Sequence, residues 1–216
     1  MIPRIETLSE KKLIGNHLKM SLTNNKTSQL WEQFGPKIKT IENRTSIDKI
    51  SMQVYNSGYY DKFNPENEFE KWATVEVESF SNIPSGMESF TLPGGMYAVF
   101  DYKGSSSDSS IFQYIFWEWL PSSPYGIDDR PHFEVLGKNY KNNDLNSEEE
   151  IWIPIIKKRT PATNNMYLTL NTNLQYFCGD LIPKAVFPET SCLHIYSVLI
   201  FYWGLWSREI PRSLKN

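Results

Sequence analysis

Three short runs interleave rings, amides and acids at alternate positions: Gln53-Val54-Tyr55, Trp72-Ala73-Thr74-Val75-Glu76 and Glu150-Ile151-Trp152, with Glu134 in a fourth, Pro131-His132-Phe133-Glu134-Val135. Alternate residues of a strand share a face, so rings and carboxylates would stand side by side. A carboxylate among rings costs several kcal/mol, roughly the desolvation range of a buried charge, if nothing pairs with it. A ligand cation stacked on Tyr55, Trp72 or Trp152 would offset that cost, with about 0.5–2 kcal/mol of cation–π attraction per ring. Two carboxylates on one cavity would also permit acid–base work, one holding a proton while the other activates water. Gln53 and Tyr55 would supply polar contacts to an uncharged part of the ligand.

Other chemistries find less support. His17, His132 and His194 are scattered, and Cys178 and Cys192 stand without companion ligand spacing. Neither a metal site, a disulfide framework nor a histidine triad is expected, and no cofactor is implied. Ser105 to Ser110 reads as a loop and helix start, because a strand followed by Gly-x-Gly is absent. The formal charge of -3 and the absence of a basic stripe argue against direct nucleic-acid binding. The amino terminus lacks a secretory signal pattern and the longest apolar run is half a membrane span, so a cytoplasmic, non-membrane protein is expected. Whether it has a protein partner is left open.

The elements that would position these residues repeat. Leu13 to Leu22 reads as a strand, then a helix whose apolar face is Leu30, Trp31, Phe34, Ile38 and Ile41, kinked near Pro36, with Thr27-Ser28 as the candidate cap. Strands follow at Ile50 to Tyr55 and Trp72 to Val77. The second half repeats the order: Met87 to Tyr102 as strand material, a helix from about Asp108 to Trp119, and strands at Pro131 to Leu136 and Glu150 to Ile156. Met87-Glu88-Ser89-Phe90 lies 82 residues after Ile5-Glu6-Thr7-Leu8, and Phe133-Glu134-Val135 lies 81 after Met52-Gln53-Val54.

Two βαββ units side by side predict an α+β fold: a mostly antiparallel sheet with both helices on one face and a ligand cleft on the other. Strand alternation places Val75, Val77, Ile151, Ile153 and Ile155 under the helices, and assigns Trp72, Thr74, Glu76, Glu150 and Trp152, with Gln53, Tyr55 and Glu134, to the opposite face. Trp31, Phe34, Phe112, Phe116 and Trp119 follow helical spacing and are expected in the core.

Pro131 to Val135, Glu150-Ile151-Trp152-Ile153-Pro154-Ile155, Trp72 to Val77 and Gly95-Met96-Tyr97-Ala98-Val99-Phe100, with Trp117-Glu118-Trp119-Leu120-Pro121 between them, together resemble the GyrI-like family over roughly residues 3 to 158. That effector-binding fold also occurs at the carboxyl end of AraC-type and multidrug-responsive activators. The resemblance implies two modules about a pseudo-twofold axis and a ligand cleft holding a buried carboxylate at the start of the last strand. Glu150 is the match, with Glu148 and Glu149 just before it as the candidates that a register one or two residues away would select. It implies capture of a small hydrophobic, often cationic, aromatic molecule. The alternatives are a hydrolase of cyclopropane-bearing genotoxins with Glu150 as general base, and an inhibitor of DNA gyrase acting by protein contact. Residues 159–216, which hold both cysteines and the run Val198 to Trp206, fall outside the domain of residues 1–158 as a tail of open structure.

Overall fold

The computed structural model describes residues 1–59 and 64–158. Nine strands form among the described residues: β1 (Arg4–Leu8), β2 (Lys11–Met20), β3 (Lys49–Val54), β4 (Phe69–Val77), β5 (Glu88–Leu92), β6 (Gly95–Lys103), β7 (Tyr125–Ile127), β8 (His132–Leu136) and β9 (Glu148–Lys157). Helix α1 (Thr27–Phe34) buries Leu30, Trp31 and Phe34. Burial of Leu30 and Phe34 contributes about 1.5–3 kcal/mol each. Its start is held by Asn25, whose Oδ1 accepts from the Thr27 N–H at 2.9 Å, rather than by Thr27 or Ser28 as a cap. Pro36 falls where α1 tightens into a 3-10 stretch, Gly35–Thr40, since proline cannot donate into an α-helical ladder.

The second helical region starts as α2 (Ser110–Gln113), widens into π turns over Tyr114–Trp119 and ends as α3 (Leu120–Ser122). Here Phe116 stacks 6.5 Å from His132 while Trp119 meets Phe100 edge-on at 5.2 Å.

Every strand pairing is antiparallel, in the order β1-β6-β9-β8-β3-β4-β2-β5, with β7 along the far end of β9. Outward from its centre the sheet runs β3-β4-β2-β5 on one side and β8-β9-β6-β1 on the other, so the two units occupy matching places. The short first strand of each unit crosses over to the long strand of the other. The predicted α+β fold of two βαββ units is what forms, and Val75, Val77, Ile151, Ile153 and Ile155 lie in the two clusters beneath the helical regions.

The opposite face holds a third cluster, to which all eight strands of the main path contribute, from Leu8 and Leu92 at the ends to Met52 and Phe133 at the centre. Met52 and Val99 are fully buried there although no helix among the described residues packs on this face, and a curl of the sheet onto itself accounts for that burial. The curl brings the β1–β2 bend against the β5–β6 bend. A Cβ on Gly94 would stand 2.7 Å from the Leu8 carbonyl oxygen and 3.0 Å from the Glu10 nitrogen, both backbone atoms that cannot swing aside. Gly94→Ala should therefore cost about 1–3 kcal/mol, the range for overpacking, read as a lowered urea midpoint at unchanged slope. Wild-type stability in that variant would mean that the bends do not meet. No helix among the described residues is long and apolar enough to cross a membrane.

Candidate ligand-binding site

The pairing register divides the predicted site residues between the two faces. Met52 stands opposite Trp72 and Phe133, and Phe133 opposite Trp152, so Trp152, Phe133, Met52 and Trp72 form one row across the curled face. Phe133 and Trp152 stack at 5.2 Å, and Trp72 stacks on His17 at 4.3 Å. The matching positions of the two units carry matching bonds: Trp72 Nε1 donates to Glu70 at 3.2 Å and Trp152 Nε1 to Glu150 at 3.0 Å. Trp72 and Trp152 are thus buried packing residues of this cluster. Glu150 is 37% exposed and also accepts from Arg4 at 2.8 Å, so it is neither buried nor isolated. Glu76 pairs with Lys11 at 2.6 Å, away from the row.

Gln53, Tyr55 and Glu134 lie on the helix side, contrary to the expectation that they share a face with Trp72. The reason is register: Gln53 stands opposite Lys71 and His132, which alternate with Trp72 and Phe133. Gln53, Lys71, His132 and Glu134 form a buried polar group over the central strands, with half-buried Tyr55 and Glu149 at its margin. Lys71, only 2% exposed, has its Nζ 3.9 Å from Glu134 Oε2. With its amide oriented so that both ends find complementary partners, Gln53 bridges: its nitrogen donates to the His132 carbonyl at 2.7 Å and its oxygen accepts from Lys71 Nζ at 2.5 Å. Tyr55 lies 4.6 Å from Tyr59, 5.5 Å from Phe69 and 5.4 Å from His132 between ring centroids, so rings flank the charges.

Burial sets the protonation of this group. It lowers the Lys71 ammonium to about 8 against the opposing pull of Glu134 and Glu149. It raises the Glu149 carboxyl to about 8, with Glu134 adding to the rise and Lys71 opposing it. His132 is pushed down to about 3, chiefly by burial, so its ring is neutral at physiological pH. Among the described residues two acidic side chains face the Lys71 ammonium, and the one whose carboxyl burial pushes up is Glu149, one residue from the expected Glu150. Adjacent in β9, the two point to opposite faces.

Glu149 reaches the surface at a groove of about 700 Å³ at the ends of β6, β8 and β9, whose lining includes Asp48, Tyr102, Val135 and Glu148 to Glu150. That volume suits an organic molecule of drug size, about 300–1,000 Å³. Burial raises the Tyr102 hydroxyl to about 12, and the charge of Glu149 adds to the rise. Burial raises the Tyr140 hydroxyl too, again with a contribution from Glu149, which places both rings within electrostatic reach of the carboxylate. The arrangement offers a positive centre a half-buried carboxyl, Glu149, near two tyrosines and at the edge of a groove lined by more acids than bases.

The Cass2 family model, described as integron-associated effector binding protein, matches residues 4–155. The transcriptional regulator BrlR of Pseudomonas aeruginosa is 29% identical over 133 residues, 59% of this chain and 45% of BrlR. The chain thus spans under half the length of that curated relative. Among solved structures, SAV2435 bound to tetraphenylphosphonium gives a TM-score of 0.54 at 14% identity, covering 72% of this chain and 94% of SAV2435. An integron cassette protein of Vibrio cholerae gives 0.51 at 16% identity, with 71% and 95% covered. EcmrR in its cryo-EM complex with DNA gives 0.53 at 13% identity, with 72% and 57% covered. These structural likenesses are of fold.

Proposed function

The chain belongs to the Cass2 family of integron-associated effector binding proteins, of GyrI-like fold, and from that membership we propose that residues 1–158 bind a hydrophobic cationic aromatic molecule, sensing or sequestering it in the cytoplasm. The observation that supports this reading is the cluster on the helix side where, among the described residues, Glu134 and Glu149 face the ammonium of Lys71 and burial pushes the Glu149 carboxyl up to about 8. A lipophilic cation entering from the groove would supply the missing positive charge, ionise Glu149 and gain cation–π contact with the neighbouring tyrosines. That SAV2435 was solved with tetraphenylphosphonium supports the ligand class. Trp72, Trp152, Glu76 and Glu150, on the other face, stay in the proposal as residues that shape the curled sheet behind the site. The hydrolase and gyrase readings gain no supporting observation.

The test is a calorimetric titration of the full chain with tetraphenylphosphonium beside a neutral ring compound of similar size, at several pH values. Tetraphenylphosphonium should bind more tightly as pH rises from 6 to 8, up to tenfold per unit where a proton must leave Glu149, and level off above 8. The neutral compound should show no such trend. Equal affinity for both ligands at every pH would defeat the assignment.

A further inference from the structure

The groove at the ends of β6, β8 and β9 is lined by more acids than lysines, and most of those acids have partners. Asp101 and Glu150 stand directly opposite each other in the register, where like charges repel, and Arg4 joins them. Asn139 at 2.6 Å and Lys103 at 3.1 Å hold Glu148, keeping its carboxyl below the usual range with help from Lys138. Glu149 faces Lys71 from the edge of the groove. Asp48 is different. It is half-buried, and its backbone N–H bonds to Ser46 Oγ at 3.1 Å, but its carboxylate bonds to no group among the described residues.

A notch lies beside that carboxylate. Asp48 and Gly137 stand one step beyond the pairing of Lys49 with Leu136, and the pairing of Val135 with Glu150, carried on two residues, sets Gly137 beside Glu148. A Cβ on Gly137 would stand 3.5 Å from Asp48 Oδ1 and, its chain neighbours aside, would meet no other described atom within 4 Å. The glycine therefore floors a space with a carboxylate on each side, and Val135 and the exposed Ile47 add apolar surface to the same groove. An ammonium is compact enough for such a space and donates charge-assisted hydrogen bonds to a carboxylate. Because β8 lies between β3 and β9, Asp48 and Glu149 stand two strand spacings apart, about 10 Å. Resting on the reading of this groove as the cation site, we propose that it selects ligands with two positive centres: a lipophilic cation at Glu149 and a primary ammonium in the notch over Gly137, held by Asp48. A singly charged ligand leaves Asp48 unpaired. In a doubly charged one the second contact forms within the complex once the first has formed, which adds affinity without a second binding event.

The test compares phosphonium probes on the full chain by calorimetry at pH 8 and about 50 mM salt, where exposed charges are incompletely screened. Hexyltriphenylphosphonium carries one charge, and its counterpart with a terminal amine on the hexyl chain adds an ammonium about 9 Å from phosphorus, close to two strand spacings. The aminohexyl compound should bind about tenfold more tightly, the worth of one charge-assisted hydrogen bond. The aminopropyl compound, too short to span the strands, should show no such gain over its propyl parent. Asp48→Asn should bring the aminohexyl compound down to the hexyl one and leave the hexyl affinity unchanged, which also reports that the variant folds. Gly137→Ala, whose methyl group meets Asp48 at an ordinary contact distance, should act likewise by filling the notch. Glu10→Gln, at an exposed acid beside Gly94 and so at the other end of β6, should preserve the gain. An aminohexyl compound no tighter than the hexyl one overturns the inference, as does a gain that the aminopropyl compound shares or that survives Asp48→Asn. In those cases hexyl binding that still depends on Glu149 keeps the cation site itself. Absence of hexyl binding to wild type, or hexyl binding indifferent to Glu149→Gln, overturns the inference and the cation site together.

Discussion

Replacing Glu149 with Gln should weaken binding of tetraphenylphosphonium about 10- to 100-fold at pH 8, which is 1.4 to 2.7 kcal/mol, and should abolish the rise of affinity between pH 6 and 8. Gln keeps the size of the side chain but offers no charge, so the cation meets only Glu134, already shared with Lys71. The same substitution reports on stability. The folded Glu149 carboxyl titrates at about 8, above its ordinary 4.5, because burial and Glu134 disfavour the anion. Below about pH 4.5 both folded and unfolded chains hold the proton and the residue costs nothing. Between 4.5 and 8 the unfolded chain ionises while the folded chain does not, so stability falls as pH rises, and above 8 the whole cost is present. Glu149→Gln removes that slope. Variant and wild type should therefore melt together near pH 4, and the variant should melt higher at pH 8. A variant that melts lower than wild type at pH 8, with cation affinity intact, would move the site away from Glu149. Glu150→Gln, at the mouth of the groove and already held by Arg4 and Trp152, should weaken cation binding less than Glu149→Gln does and leave its pH dependence in place.

The contrast between Glu149 and Glu150 shows where sequence carried far and where it stopped. Alternation within a strand is a property of the backbone, and it placed Val75, Val77 and the three isoleucines of β9 correctly under the helices. The same rule applied inside β4 puts Lys71 with Ala73, Val75 and Val77, and inside β9 puts Glu149 with Ile151. A lysine and a glutamate at such positions are charges under helices and were legible from parity alone, without any family. Alternation between strands is different, because it depends on a register that hydrogen bonding across the sheet sets. Gln53 was assigned to the face of Trp72, but Met52 is the residue opposite Trp72, and one step of register sends Gln53, Tyr55 and Glu134 to the other side. The repeat was readable from matched order, yet it did not show that the sheet curls and buries Trp72 and Trp152. That follows from the crossing of β1 to β6 and β5 to β2. The π turns of Tyr114–Trp119 and the three-residue β7 had no signal in the spacing of apolar residues.

Lys71→Met should destabilise the empty protein by about 3–5 kcal/mol near neutral pH, the cost of breaking a buried pair from one side, and yet tighten its grip on a monovalent cation. Methionine fills most of the space of the lysine stem, so the loss is chiefly electrostatic: the Glu134 carboxylate loses its ammonium partner in a medium that solvates it poorly, beside a Glu149 carboxyl that burial already holds in its protonated form. Part of the cost comes from Gln53, whose amide oxygen loses the ammonium donor it holds at 2.5 Å, about 1–3 kcal/mol for a buried acceptor left unsatisfied. Adding Glu134→Leu should recover much of the stability, because replacing both members of a buried pair by apolar side chains is often neutral or better. The ligand is the third way to neutralise the site. In wild type an incoming cation is repelled by Lys71, which carries charge below its value of about 8; in Lys71→Met it meets the Glu134 carboxylate and the Glu149 carboxyl with that repulsion gone. At an effective dielectric of about 20, removing a unit charge some 8 Å away is worth about 2 kcal/mol, so tetraphenylphosphonium should bind on the order of tenfold more tightly and raise the melting temperature of Lys71→Met by more than it raises that of wild type. A neutral ring compound should bind both proteins alike. If Lys71→Met is destabilised but holds the cation no more tightly than wild type does, the buried charges serve the fold alone and the ligand sits elsewhere.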